Sequence, residues 1–217
     1  MRPPGIILTL LCATALAGPG CRLESGGGGP PQQGSSAATV VSSGDGPTKI
    51  LVGFYSLSGN TEKMATAVTE GARQVPGVTV TQKPVADITP SDLQSAHGIV
   101  LGCPTHFANI PGEMKTIIDH WALKLGVNFT NKVGGAFSTG GNFTGGKEHV
   151  VISLLLYMLN NRMIVAGPIY KPGDRGWGEI GASATTGRDD PGLRDAELSD
   201  ARKLGQRIAN VARSLTQ

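Results

Sequence analysis

Aromatic residues make up only 5% of the 217 positions and charged residues only 16%, and there are just three cysteines. So few cysteines exclude a disulfide framework and any four-thiolate zinc site. The low charge excludes a chain kept disordered by self-repulsion. Lysine and arginine do not cluster, and 19 basic against 16 acidic residues leave a net charge of +3, which gives nucleic acid no support as a partner. His97, His106, His120 and His149 have no ligand-like spacing, so the chain reads as metal-free. Hydrophobic residues reach 39%, enough for a core and too few for a polytopic membrane protein.

Glycine is abundant: 32 residues, roughly twice the ~7% average share. Ten of them fall in residues 1–48, where Arg2 and Arg22 cancel Glu24 and Asp45. The chain therefore divides near Thr48. Ahead of that point, Arg2 precedes an apolar stretch from Ile6 to Leu16 that suits the ~7–15 residue core of an export signal and is too short to span a bilayer. Cleavage has two readings. Ala15-Leu16-Ala17 is a small-x-small site, whereas Cys21 after Gly18-Pro19-Gly20 resembles a lipoprotein box. From Arg22 to Thr48 the chain holds seven Gly, five Ser and three Pro, the composition of a flexible spacer. The expected organisation is a signal over 1–20, lipidation at Cys21, a tether over 21–48, and a folded domain over 49–217. The expected location is the cell envelope, as a membrane-anchored lipoprotein or a free periplasmic protein.

The remainder alternates strand and helix. KILVGFY (49–55), Val78 to Val85, HGIVLGC (97–103), Lys132 to Ser138 and Met163 to Tyr170 read as strands. Between them, Met64, Val68, Ala72 and Val75 mark one amphipathic helix, and Met114, Ile117, Ile118 and Trp121 another. A closing helix carries Ala201, Leu204, Ile208, Val211 and Leu215. Five strands with helical crossovers imply a doubly wound parallel α/β sheet, with ligands at the carboxyl ends of the strands.

Three loops lie at those ends. The first, Ser56-Leu57-Ser58-Gly59-Asn60-Thr61, places hydroxyls and backbone amides at a helix start, where a phosphate is favoured. It contains no acidic pair, which excludes a receiver domain. The second, Pro104-Thr105-His106-Phe107-Ala108-Asn109-Ile110-Pro111, suits either a flat heterocycle or a rigid turn with Phe107 plugging the core. The third, Ser138-Thr139-Gly140-Gly141-Asn142-Phe143-Thr144-Gly145-Gly146, exposes backbone for close approach. Gly141 to Lys147 matches the G-x-x-x-x-G-K phosphate loop, but Glu148 stands where its Ser or Thr should, and the loop follows the wrong strand. Cys103 has no Arg six residues on and reads as packing.

These three segments, in this order, resemble the flavodoxin-like NAD(P)H:quinone oxidoreductases of the tryptophan-repressor-binding-protein (WrbA) family. The resemblance implies strand order 2-1-3-4-5 and bound flavin mononucleotide (FMN). It implies two-electron reduction of a quinone by NAD(P)H and a homo-oligomer. Its phosphate ligands would be Ser56, Ser58, Gly59, Asn60 and Thr61; its ring contacts Pro104, Thr105, His106, Phe107 and Asn109, with Ser138, Thr139, Gly140, Gly141 and Asn142 on the other edge. All of these are cofactor contacts, and which side chain is catalytic is left unknown by the resemblance. Two family residues that border the substrate site are missing: a Trp in the 123–131 loop, and a His that aligns with Asn161. The other reading of the same flavin site is a non-enzymatic electron carrier. Such carriers are typically acidic, and this chain is not.

Overall fold

Runs of seven or eight mostly apolar or small residues between glycine- and proline-marked turns have little choice but to be central strands, and the computed structural model places them so. It describes residues 46–174, 178–187 and 192–217. The export signal, Cys21 and all of the tether up to residue 45 lie outside the described residues. β1 (Thr48–Phe54), β3 (Gly98–Pro104) and β4 (Val133–Gly140) are buried almost throughout. β2 (Val78–Pro84) alternates and forms an edge. All pair in parallel, in the order β2-β1-β3-β4-β5, as expected for a doubly wound sheet.

Helices α1 (Asn60–Arg73), α2 (Pro90–Ser95), α3 (Gly112–Leu123), α4 (Lys147–Asn160) and α5 (Asp195–Thr216) make the crossovers and close the chain. Thr89 caps α2 in a full capping box with Asp92, and Pro90 sits where its missing N–H costs nothing. α1 and α5 cover one face of the sheet, over Ile50, Val52, Val100 and Phe137. α3 and α4 cover the other, over Leu51, Ile99, Leu101 and Ala136. α1 and α5 cross at two glycines: a β-carbon on Gly71 would lie 1.9 Å from the Arg202 carbonyl oxygen, and one on Gly205 1.9 Å from that of Val68.

The fifth strand differs from the expected Met163 to Tyr170. Only Ile164–Val165 (β5) pairs there, against Val133 and Gly134. Pro168 cannot donate to a ladder, and Gly167 lies so close to the Glu179 carbonyl that a β-carbon would overlap it. The chain leaves the sheet and returns as β6 (Ala182–Thr185), which pairs with Phe137–Gly140 of β4. Two short segments thus share the fifth position. Thr48, which the sequence assigns to the tether, already belongs to β1 and bonds Thr216 at the end of α5 (Oγ1–Oγ1 3.0 Å).

Candidate functional site

All three loops emerge at the carboxyl ends of β1, β3 and β4, and they are tied to one another. Tyr55 N–H donates to the Gly102 carbonyl (2.9 Å), holding the start of the first loop on β3. Thr105 N–H donates to the Thr139 carbonyl (2.7 Å), and the Thr105 and Ser138 hydroxyls pair at 3.0 Å. Ser138 also donates to the Cys103 carbonyl (3.0 Å). The Thr61 and Thr139 hydroxyls pair at 2.8 Å in the buried floor, joining the first loop to the third. Buried hydroxyls need partners, and these find them in each other.

In the first loop the Ser56 hydroxyl accepts the Gly59 N–H (3.1 Å), and Asn60 Nδ2 donates to the Ser58 hydroxyl (3.3 Å). Gly59 is the N-cap of α1 at φ 88°, a left-handed conformation that suits glycine, and no side chain caps the helix. A helix start shaped by glycine and left without a capping side chain is a ready place for an anion. Ser58 is exposed, whereas Asn60 and Thr61 are buried beneath it.

The second loop turns at Phe107-Ala108. His106 and Asn109 exchange both backbone bonds (3.0 and 2.9 Å), and Phe107 and Ala108 have φ of 49° and 63°. That is a two-residue hairpin of the I′ kind, normally made by Asn-Gly, and each left-handed non-glycine costs about 1–2 kcal/mol. Phe107 does not plug the core. Its ring is fully exposed, carried at the tip of this turn. His106 meets Tyr55 edge-on with ring centroids 6.4 Å apart, a second tie between loops one and two. The Tyr55 phenol is held above its ordinary pKa by desolvation and by the Glu113 carboxylate, so it stays protonated.

Gly140, Gly141 and Asn142 open the third loop, with Gly141 and Asn142 exposed. Thr186 N–H donates to the Gly140 carbonyl (2.9 Å), laying the chain after β6 alongside. Gly146, at φ 90°, touches the second loop: a β-carbon there would lie 2.7 Å from that of Ala108. Leu57, Phe107 and Phe143 are largely exposed, one from each loop, and give this end of the sheet an apolar rim. The fifteen expected site residues therefore gather at one end, with Thr61, Ser138 and Thr139 spent on joining loops. Cys103 lies under them with its thiol pushed up to about 12 by burial, which makes it packing and no nucleophile. Among the described residues no group of three or more His, Cys, Asp or Glu is placed to hold a metal.

The two missing family positions lie elsewhere. The 123–131 loop precedes β4, and Asn161 caps the far end of α4, where its Nδ2 donates to the Tyr157 carbonyl (2.8 Å). Asn131 N–H donates to the Arg162 carbonyl (3.0 Å), and Asn128 and Asn131 line a cavity of about 450 Å³ with Lys49, His97 and Lys132 at the amino ends of the strands. Within one chain both positions are at the opposite end of the sheet from the three loops. They cannot border a ligand held there by the same chain.

Sequence reasoning passed over Lys147, weighed only as part of a false phosphate loop, and Arg194 with Glu197 at the start of α5. Lys147 is almost fully buried, and its Nζ donates to the carbonyls of Asn142 (2.6 Å) and Phe143 (3.1 Å). Burial would raise the pKa of Glu197, but the Arg194 guanidinium (2.6 Å) and the N–H groups of Thr185 and Arg194 bring it below its ordinary value. A lysine at the first position of a helix, against the dipole, was the signal available for Lys147.

Topology defines a flavodoxin-like α/β fold, with the three loops together at the carboxyl ends of its strands. The family model described as NADPH-dependent FMN reductase matches residues 80–177, just under half of the chain. Among solved structures, the chain is similar to a flavodoxin, WrbA-like protein from Agrobacterium tumefaciens, at 23% identity and a TM-score of 0.60, over 77% of this chain and 98% of that one. It is also similar to a flavodoxin from the domain Archaea (23%, TM-score 0.61, 76% and 99%). Rubredoxin oxygen:oxidoreductase from Desulfovibrio gigas matches at 20% identity and a TM-score of 0.61, over 78% of this chain and 37% of that protein.

Proposed function

We propose that the protein is an FMN-binding oxidoreductase that takes electrons from NAD(P)H and delivers them in pairs to a quinone. The observation that carries the reading is the set of three loops cross-tied by Thr61–Thr139 and Thr105–Ser138 around a helix start with no side-chain cap. The residues fit the group. Ser56, Ser58 and the Gly59–Thr61 backbone suit the phosphate, and the exposed loop backbone with Leu57, Phe107 and Phe143 suits a flat apolar ring. Bound flavin would supply the redox chemistry, while the loops position it and exclude water. The FMN reductase family match over 80–177 supports NAD(P)H as donor. Attachment to the envelope through Cys21, with the preceding segment removed, is part of the same proposal.

Titrating the full-length apo-protein with FMN tests the reading: flavin fluorescence is quenched with a one-to-one end point. Absence of quenching at micromolar concentrations would refute it. Steady-state assays of the loaded protein with NADH or NADPH and a benzoquinone test the donor and acceptor. Reoxidation of chemically reduced flavin by quinone, with no turnover of either nucleotide, would favour the electron carrier. A Cys21→Ser variant that stays at the membrane as the unaltered protein does would overturn the lipid anchor.

A further inference from the structure

Lys147 has an environment that loop packing alone does not account for. Its stem runs over Gly140, where a β-carbon would lie 2.9 Å from Lys147 Cγ, and its Nζ is spent on two carbonyls of the third loop. Among the described residues no carboxylate forms an ion pair with it, since Glu197 is taken by Arg194 and Glu148 is exposed to solvent. It is also the first residue of α4, where the helix dipole opposes a cation. A positive charge that is buried and dipole-opposed, with no direct ion pair among the described residues although Glu148, Glu197 and Asp200 line the same cavity, favours a further negative charge nearby. The loop it fastens is the one expected along the edge of the flavin ring. The same loop is held from outside by Arg194, whose guanidinium lies 5.6 Å from the centre of the Phe143 ring.

We propose that Lys147 is a positioning residue of the flavin site that also acts electrostatically. It fixes the Gly140–Gly146 loop through the Asn142 and Phe143 carbonyls, and its charge favours the reduced over the oxidised flavin. The proposal rests on the FMN reading above. A flavin gains negative charge on two-electron reduction, so a fixed cation behind the loop expected to border the ring would favour the reduced form and raise the midpoint potential.

Lys147→Gln removes the charge and keeps an N–H donor group; Lys147→Met removes both at similar volume. In the full-length protein, the Gln variant binds oxidised FMN within about threefold of the unaltered chain, whereas the Met variant loses about tenfold or more. Both bind reduced FMN about tenfold less tightly relative to oxidised FMN, a fall of about 30 mV in a two-electron couple. Hydrogen exchange on the apo-protein gives an independent reading: amides of residues 140–146 exchange faster in the Met variant than in the Gln variant, while those of β1 and β3 do not change. If the unaltered protein binds FMN and neither variant shifts the potential, the electrostatic role is refuted. Unchanged exchange in the Met variant would refute the fastening. Failure of the unaltered protein to bind FMN would instead sink the flavin reading itself.

Discussion

Replacing Gly205 by alanine pits two known effects against each other. Alanine in mid-helix is favoured over glycine by about 0.8–1.0 kcal/mol. The new β-carbon would, however, lie 1.9 Å from the Val68 oxygen, 2.8 Å from the Val68 carbonyl carbon and 3.0 Å from the Ala72 nitrogen. All three are backbone atoms, which cannot swing aside as a side-chain tip can. To regain ordinary contact, α1 and α5 must separate by about 1.5 Å at the crossing, enough to forfeit much of the dispersion energy between them. Overpacking costs about 1–3 kcal/mol, and a rigid backbone obstacle places this site at the upper end. The net expectation is a loss of about 2 kcal/mol, lowering the urea midpoint by about 1 M at unchanged slope. Gly71→Ala meets the Arg202 backbone in the same crossing, so the double variant should lose less than the sum of the singles. Gly112→Ala, with open space around it at the start of α3, is the control and should be neutral or slightly stabilising. A Gly205→Ala midpoint equal to or above the parent's would refute the close-crossing argument.

Three further outcomes are expected. Asp92, held at about 2 by Lys83 and by Thr89, has a folded pKa below its unfolded one, so its contribution is present above pH 4 and lost as pH falls toward 2; in acid unfolding, Asp92→Asn should remove about 1 kcal/mol of stability at pH 7 and almost none at pH 2. With Cys12 and Cys21 replaced by serine, the Cys103 thiol should resist an aromatic disulfide reagent in the native state and react fully in denaturant; fast native labelling would contradict its burial. Thr61→Val should leave the Thr139 hydroxyl without its partner and weaken FMN binding by about 1–2 kcal/mol, read by fluorescence quenching; undiminished affinity would show that this tie does not shape the phosphate loop.

The fold was legible in the sequence wherever one periodicity carried it. β1, β3 and β4 are apolar runs buried on both faces, and Met64, Val68 and Ala72 line the buried side of α1 as their spacing requires. The fifth position was legible only in part: Ile164–Val165 falls within the expected strand and pairs with β4, but its early end and the return of the chain as β6 did not show. β6 is Ala-Ser-Ala-Thr, too small and polar to register as a strand, and it is held because Ala182 and Ala184 fit beneath α5. The loops of the candidate site could be read from their glycines and hydroxyls, but the bonds joining them could not. Thr61 and Thr139 are 78 residues apart and Thr105 and Ser138 33 apart, and a hydroxyl pair leaves no periodic trace. Lys147 was hidden for a related reason: its partners are carbonyls, which every residue has.

The hydrogen bond between Thr48 and Thr216 brings the start of the first strand and the end of the last helix together, at the amino ends of the strands and so opposite the three loops. The domain that begins at Thr48 is arranged so that it can serve as an insert. Spliced through short linkers into a surface loop of a host protein, or joined head to tail and reopened in another connection, it would keep its sheet intact. A bead or a surface coupled at that seam would leave the three loops turned outward, open to whatever they meet.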